Sequence, residues 1–211
     1  MAADLEEARV ASHRPSRRGE IVSAAIRVFA RHGFADTSIQ AVAREAGVAP
    51  TAVYYHFSGK EDLFEAALHK IIDAINTVVI EVRPDDAPAD PEALGDVISA
   101  VWSWLDANPD ACQLLYHHLP GTTARSAVLQ REFEEVHVQR AFDYMKSSRS
   151  SSNTRAGISR HAAETLAART FIQLTILIHP MRAEDGPLAR YSGRAIRDAL
   201  TGVSQRIVSV A

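Results

Sequence analysis

Apolar residues fall at helical spacing along almost the whole chain, and no stretch shows the strict alternation of a half-buried strand. Between Arg17 and His32, the positions Ile21, Ala25, Val28 and Phe29 share one helical face and Gly33 supplies a stop, which predicts a helix over Arg17–His32. Ser38–Ala46 repeats the pattern, with Ile39, Val42, Ala43 and Ala46 at i, i+3, i+4 and i+7 and with Ser38 as an N-cap hydroxyl. Gly47 ends that helix, because glycine takes positive φ without steric cost. Pro50 opens the next one in its first turn, where a missing N–H costs nothing. Val48 and Val53 are expected to pack inward, leaving Tyr54, Tyr55, His56 and Lys60 to meet something polar. A longer helix runs from about Lys60 to Val82, with Glu61 and Asp62 favourable in its first turn against the helix dipole.

The rest of the chain extends the helical pattern. Pro84–Pro91 reads as a loop, followed by helices over about Glu92–Ala107, Asp110–Leu119 and Thr123–Lys146. The serine-rich run Ser147–Thr154 is expected to be mobile. Helices over about Arg160–His179 and Leu188–Val208 follow, separated by a Pro180–Pro187 loop. The fold class is therefore all-α, with about nine helices.

A helix, a glycine turn and a second helix ending in phosphate-binding side chains is the pattern of a helix-turn-helix DNA reader. The segments IVSAAIRVFARHGFADTS, IQAVAREAGVAPTAVYYHF and SGKEDLF, in register over Arg17–Leu68, resemble the N-terminal domain of the tetracycline-repressor (TetR) family. About a quarter of the chain carries the resemblance. It implies a DNA-binding head followed by a helical ligand-binding and dimerisation body. The expected division is a mobile basic arm over 1–15, a helix-turn-helix domain over 16–60 and an effector and dimerisation domain over 61–211. The arm can lie in a minor groove or simply be solvated.

The second helix of such a motif enters the major groove with its N-terminal residues nearest the base edges. Here those are Pro50, Thr51 and Ala52, which offer apolar contact to thymine methyls and one hydroxyl. Gln40 is the candidate for a two-bond base contact, and Arg44, one turn on, for a phosphate or guanine. The resemblance assigns Ser38, Tyr54, Tyr55, His56 and Lys60 to the phosphate backbone, with core packing left open for Tyr54 and Phe57. Ala49 departs from the family, in which a capping serine is common, so this helix start has to rely on Pro50.

The same resemblance predicts a homodimer on a palindromic operator, built on two small-residue stripes. One carries Ala163, Leu166, Thr170 and Leu174, and the other Ala195, Ala199 and Val203. It also predicts an effector pocket. Trp102, Leu105, Leu115, Tyr116, Phe133, His137, Phe171 and Gln173 are the candidates, and for any one of them helical core is the stronger reading. A small apolar or aromatic effector suits that set.

Charge sharpens the picture. The net charge is −3, yet residues 13–60 hold seven basic and three acidic side chains, a local +4, and residues 61–211 carry 15 basic and 20 acidic, a local −5. One cysteine, Cys112, excludes an internal disulfide and suits a reducing cytoplasm. The charged first twenty residues lack a signal-peptide core, so a cytoplasmic bacterial protein is expected. His69, His117, His118, His137 and Cys112 invite a metal reading, but neighbouring histidines on a helix point about 100° apart and no metal-ligand spacing is present. No metal or cofactor is expected. Neither a Gly-x-Ser-x-Gly elbow, a phosphate loop nor a His-Glu-x-x-His motif is found, and nothing in the order of residues sets Cys112 beside a base. The expected function is a ligand-responsive repressor and not an enzyme. A transcriptional activator, a ligand-independent DNA-binding protein and a helical enzyme keeping the head are the other readings.

Overall fold

The computed structural model describes residues 17–84, 93–118, 123–145, 174–175, 177–182 and 186–210. Among these residues the secondary structure is helical throughout: α1 (Arg17–His32), α2 (Ile39–Glu45), α3 (Pro50–His56), α4 (Lys60–Val82), α5 (Ala93–Ala107), α6 (Pro109–His118), α7 (Ala124–Met145) and α8 (Gly193–Val210), with a 3-10 turn at His179–Arg182. The chain divides into two compact units between Ala67 and Leu68. That boundary falls inside α4, which is one continuous helix.

In the first unit, α1 packs on α2 and α3. Ile21, Ala25, Val42, Val53 and Leu63 are fully buried. Three phenylalanines close the core: the Phe64 ring meets Phe29 edge-on at 5.0 Å and Phe34 at 4.9 Å. The termini are capped as the residues dictate. The Ser38 hydroxyl accepts from the Ala41 amide at 3.1 Å. Gly33 and Gly47 take φ of +73° and +65°, which a side chain would resist. Ala49 gives α3 no side-chain cap, and Pro50 stands at its start.

In the second unit, α8 packs on α5, and α6 packs on both α5 and the 3-10 turn. Ile98, Trp102, Leu105 and Leu114 form the fully buried centre. The α5–α6 corner is made by Asn108, whose side-chain amide donates to the Trp104 carbonyl at 2.8 Å while its own carbonyl accepts from Cys112 at 3.0 Å. The last helix starts at Gly193, five residues later than its apolar pattern predicts. Leu188–Tyr191 form a turn tied back to Met181, and the Ser192 hydroxyl caps the new start by accepting from Ala195 at 3.2 Å. The arm 1–15, the loop 85–91, the serine run 147–154 and most of the helix expected over 160–179 lie outside the described residues.

Candidate nucleic-acid interface and effector cavity

In the first unit, burial separates the two faces of the helix-turn-helix. Val42, Ala43 and Val53 turn inward, while Gln40, Arg44, Pro50, Thr51, Tyr54 and Tyr55 are exposed and Ala52 and His56 are half-buried. Tyr55 is 85% exposed, with the His56 ring edge-on at 5.0 Å, and Tyr54 is 54% exposed. Phe57 is core at 2% exposure. The core reading left open for both aromatics thus holds for Phe57 and fails for Tyr54.

Among the described residues of this unit, several basic side chains have internal partners. Arg27 and Arg31 both clasp the Glu45 carboxylate, at 2.7 and 2.5 Å, tying α1 to the end of α2. Those hydrogen bonds, Arg27's first and Arg31's next, hold the Glu45 carboxyl below its ordinary range. Lys60 donates from Nζ to the Ala35 carbonyl at 3.0 Å and lies 4.6 Å from the Phe34 ring centre. Its ammonium therefore braces the loop after α1 as well as standing beside the motif. Sequence spacing had no means of finding that contact, which joins residues 25 positions apart. A further cation missed in the sequence is Arg18, stacked 5.0 Å over Phe57.

The second unit holds two cavities lined by residues singled out in the sequence. One, of about 510 Å³, is walled by the end of α5, by α6 and by the 3-10 turn, with Leu105, Pro109, Tyr116 and Pro180 among its apolar side chains. Leu105 and Tyr116 of the predicted effector set line it. Trp102, Leu115 and Phe133 are buried and do not line it, and His137, Phe171 and Gln173 lie outside the side chains described. The polar wall is a chain of contacts. Cys112 Sγ stands 3.1 Å from His179 Nδ1, His179 Nε2 stands 2.9 Å from Asp106 Oδ1, and Arg182 donates to that same oxygen at 2.7 Å. The structure thus sets a base beside Cys112, contrary to the sequence reading. The fold brings in His179 from 67 residues away, a distance no local motif spans.

Burial pushes the Cys112 thiol up to about 11, with the Asp106 charge adding to it. Burial also lowers His179, against the opposing pull of Asp106. Burial raises Asp106 too, but the hydrogen bonds from Arg182 and His179 outweigh it and leave the carboxyl below its usual range. Gly193 makes room for the cation, because a Cβ there would stand 2.9 Å from the Arg182 guanidinium. No three His, Cys, Asp or Glu side chains among the described residues gather as a metal site.

The second cavity is almost wholly apolar, about 580 Å³, and is lined by Leu174, Ala195, Ala199 and Val203 together with Ile178, Leu188 and Tyr191. Four of the residues assigned to dimerisation thus share one groove, and Ala195, Ala199 and Val203 are exposed along it. Ala163, Leu166 and Thr170 lie outside the described residues.

Comparison with known proteins meets this geometry at the first unit. Residues 21–67 match the family model described as "Bacterial regulatory proteins, tetR family". The transcriptional repressor NicS of Pseudomonas putida is 31% identical over 99 residues, which is 46% of each chain. The chain spans about half the length of the curated relatives it matches. A TetR-like regulator from Rhodococcus sp. RHA1 shares the fold over 92% of this chain and 96% of its own, with a TM-score of 0.71 at 17% identity. AibR, solved with isovaleryl coenzyme A and operator DNA, does so over 89% and 97%, with a TM-score of 0.70 at 19% identity. No described helix is long and apolar enough to cross a membrane.

Proposed function

Given that the chain belongs to the tetR family of bacterial regulatory proteins, we propose that it is a transcriptional repressor that binds a palindromic operator as a homodimer and is released by a small apolar or aromatic effector. The observation that carries the DNA-binding reading is the exposed face of α2 and α3. There Gln40, Arg44, Thr51 and Tyr55 point outward from helices whose valines are locked in the core. Pro50, Thr51 and Ala52 at the start of α3 meet base edges. Ser38, Tyr54, Tyr55 and His56 hold phosphates, and Lys60 adds charge while it braces the loop beneath. Ser38 does this while its hydroxyl oxygen caps α2, leaving its O–H to donate.

One head reads too few base pairs for useful specificity, so pairing across a two-fold axis is required. The apolar groove along α8 is suited to that contact, because its exposed alanines and Val203 let a second copy's helix approach closely. The effector occupies the 510 Å³ cavity, a volume suited to a small organic molecule. Release requires the effector to bind the DNA-free form more tightly, about a hundredfold for a hundredfold loss of operator affinity. Regulation by activation uses the same face and cavity, and transcription assays separate the two signs.

The test is binding of the purified protein to duplexes from its own upstream intergenic region, at low and raised salt, with Arg44→Ala and Tyr55→Ala beside the wild type. Tight binding to one palindromic fragment, weakened in both variants and steeply salt-dependent, is the expected result. Equal binding of random duplex by all three proteins rejects the reading.

A further inference from the structure

Operator binding leaves the polar wall of the 510 Å³ cavity unused, yet its side chains stand in a chemical order. Asp106 is a carboxylate and can only accept, and Arg182 already donates to its Oδ1. His179 Nε2, 2.9 Å from that oxygen, therefore carries the ring proton. Nδ1 is left bare, and the Cys112 thiol, 3.1 Å away, donates to it. The Trp102 ring, edge-on at 4.9 Å, holds the imidazole in place. Nucleophile, base and orienting carboxylate follow one another as covalent catalysis requires. The thiol does not face a closed core: it borders a cavity with room for an organic molecule, where Gln113 and His117 supply polar groups beside the apolar wall.

From this geometry we propose that Cys112 covalently captures an uncharged organic Michael acceptor, an enone or quinone, and that such electrophiles are the effector class of this cavity. The effector half of the statement rests on the regulator reading above. In the step, Sγ bonds to the β-carbon of the conjugated alkene, the thiol proton passes to His179 Nδ1, and the alkene π pair moves toward the carbonyl oxygen as an enolate. The imidazolium, steadied by Asp106, returns the proton to the α-carbon. The step is an addition: nothing leaves and no oxidant is consumed. A thiol raised to about 11 keeps its proton in neutral solution, so reagents that merely collide with it react slowly. A molecule held beside Sγ reacts through its high effective concentration with His179 as base, which makes capture selective for cavity occupants.

The experiment exposes the full chain to 2-methyl-1,4-benzoquinone and, separately, to iodoacetamide, and follows adducts by intact mass. Operator binding is measured on the same samples. Because the chain has one cysteine, loss of the adduct in Cys112→Ser assigns it. His179→Gln is expected to slow quinone capture at least about tenfold. Tyr116→Trp, which crowds the cavity, should slow the quinone while leaving iodoacetamide unaffected. Circular dichroism confirms that each variant folds, and equal labelling of wild type, His179→Gln and Tyr116→Trp in denaturant confirms that their thiol is intact. A single quinone adduct, slowed by both variants and accompanied by loss of operator binding, supports the proposal. Failure of the folded wild type to form the adduct, or an unchanged rate in His179→Gln, overturns the capture site. Adduct formation with operator binding intact overturns the effector assignment alone. Unmodified protein that binds no duplex tells against the regulator reading, and the mass data still judge the cysteine.

Discussion

At the scale of single residues, the first unit separates side chains that hold the protein together from side chains left exposed. Tyr55 is 85% exposed, and its ring meets that of its neighbour His56. Tyr55→Ala is therefore expected to move stability by less than about 0.5 kcal/mol while weakening operator binding. Lys60 behaves differently, because its ammonium reaches the Ala35 carbonyl and the Phe34 ring. Lys60→Ala should cost about 1 kcal/mol in urea titration as well as operator affinity. A weakened operator complex in that variant therefore cannot be read as a lost phosphate contact until its stability is measured. A Lys60→Ala protein with wild-type stability contradicts the bracing role.

At the scale of elements, the two helices of the motif differ in how they start. The Ser38 hydroxyl caps α2, and Ser38→Ala should lower stability by about 1 kcal/mol. No side chain caps α3, so Ala49→Ser is expected to raise the melting temperature, by about 0.5–1 kcal/mol of added stability. The α1–α2 clasp is a matter of charge. Glu45 is held below its ordinary 4.5 by Arg27 and then Arg31. A carboxyl lowered in the folded state contributes stability that is fully present above its unfolded pKa and disappears as the pH falls through the folded one. Wild type should thus melt above Glu45→Gln at pH 7, and the gap should close as the pH is taken down from 4.5. A gap that persists in strong acid would mean that the two arginines do not act through charge.

At the scale of the whole molecule, the basic surplus of residues 13–60 beside the acidic excess of residues 61–211 concentrates phosphate attraction at the helix-turn-helix. Operator affinity should accordingly fall steeply with salt, and Arg44→Ala should lower the slope of log K against log salt by about 1 if Arg44 meets a phosphate. The apolar groove on α8 carries the assembly prediction. Val203→Asp places a charge among Leu174, Ala195 and Ala199, so sedimentation should show monomers, and operator binding should weaken with the lost two-fold pairing. A dimer of wild-type stability in that variant would move the interface elsewhere on the chain.

Local chemistry alone made the head legible. Helical spacing placed α1 at Arg17–His32, and Ser38, Gly47 and Pro50 marked the ends of α2 and α3, because caps and stops depend on residues a few positions apart. The same local reasoning placed α5, α6 and α7 to within a residue at each end. It failed where contacts are distant. Nothing near Lys60 announces Ala35, nothing near Cys112 announces His179, and Leu188 belongs to the periodic stripe of α8 but is held in a turn by Met181. Whether an aromatic side chain is wall or core also escaped the pattern: Tyr116 lines the cavity while Trp102 is sealed behind it. A helical stripe specifies which face is apolar, but what that face meets is set by the packing of helices far apart in the chain, and there the fold assembled the Cys112–His179–Asp106 line.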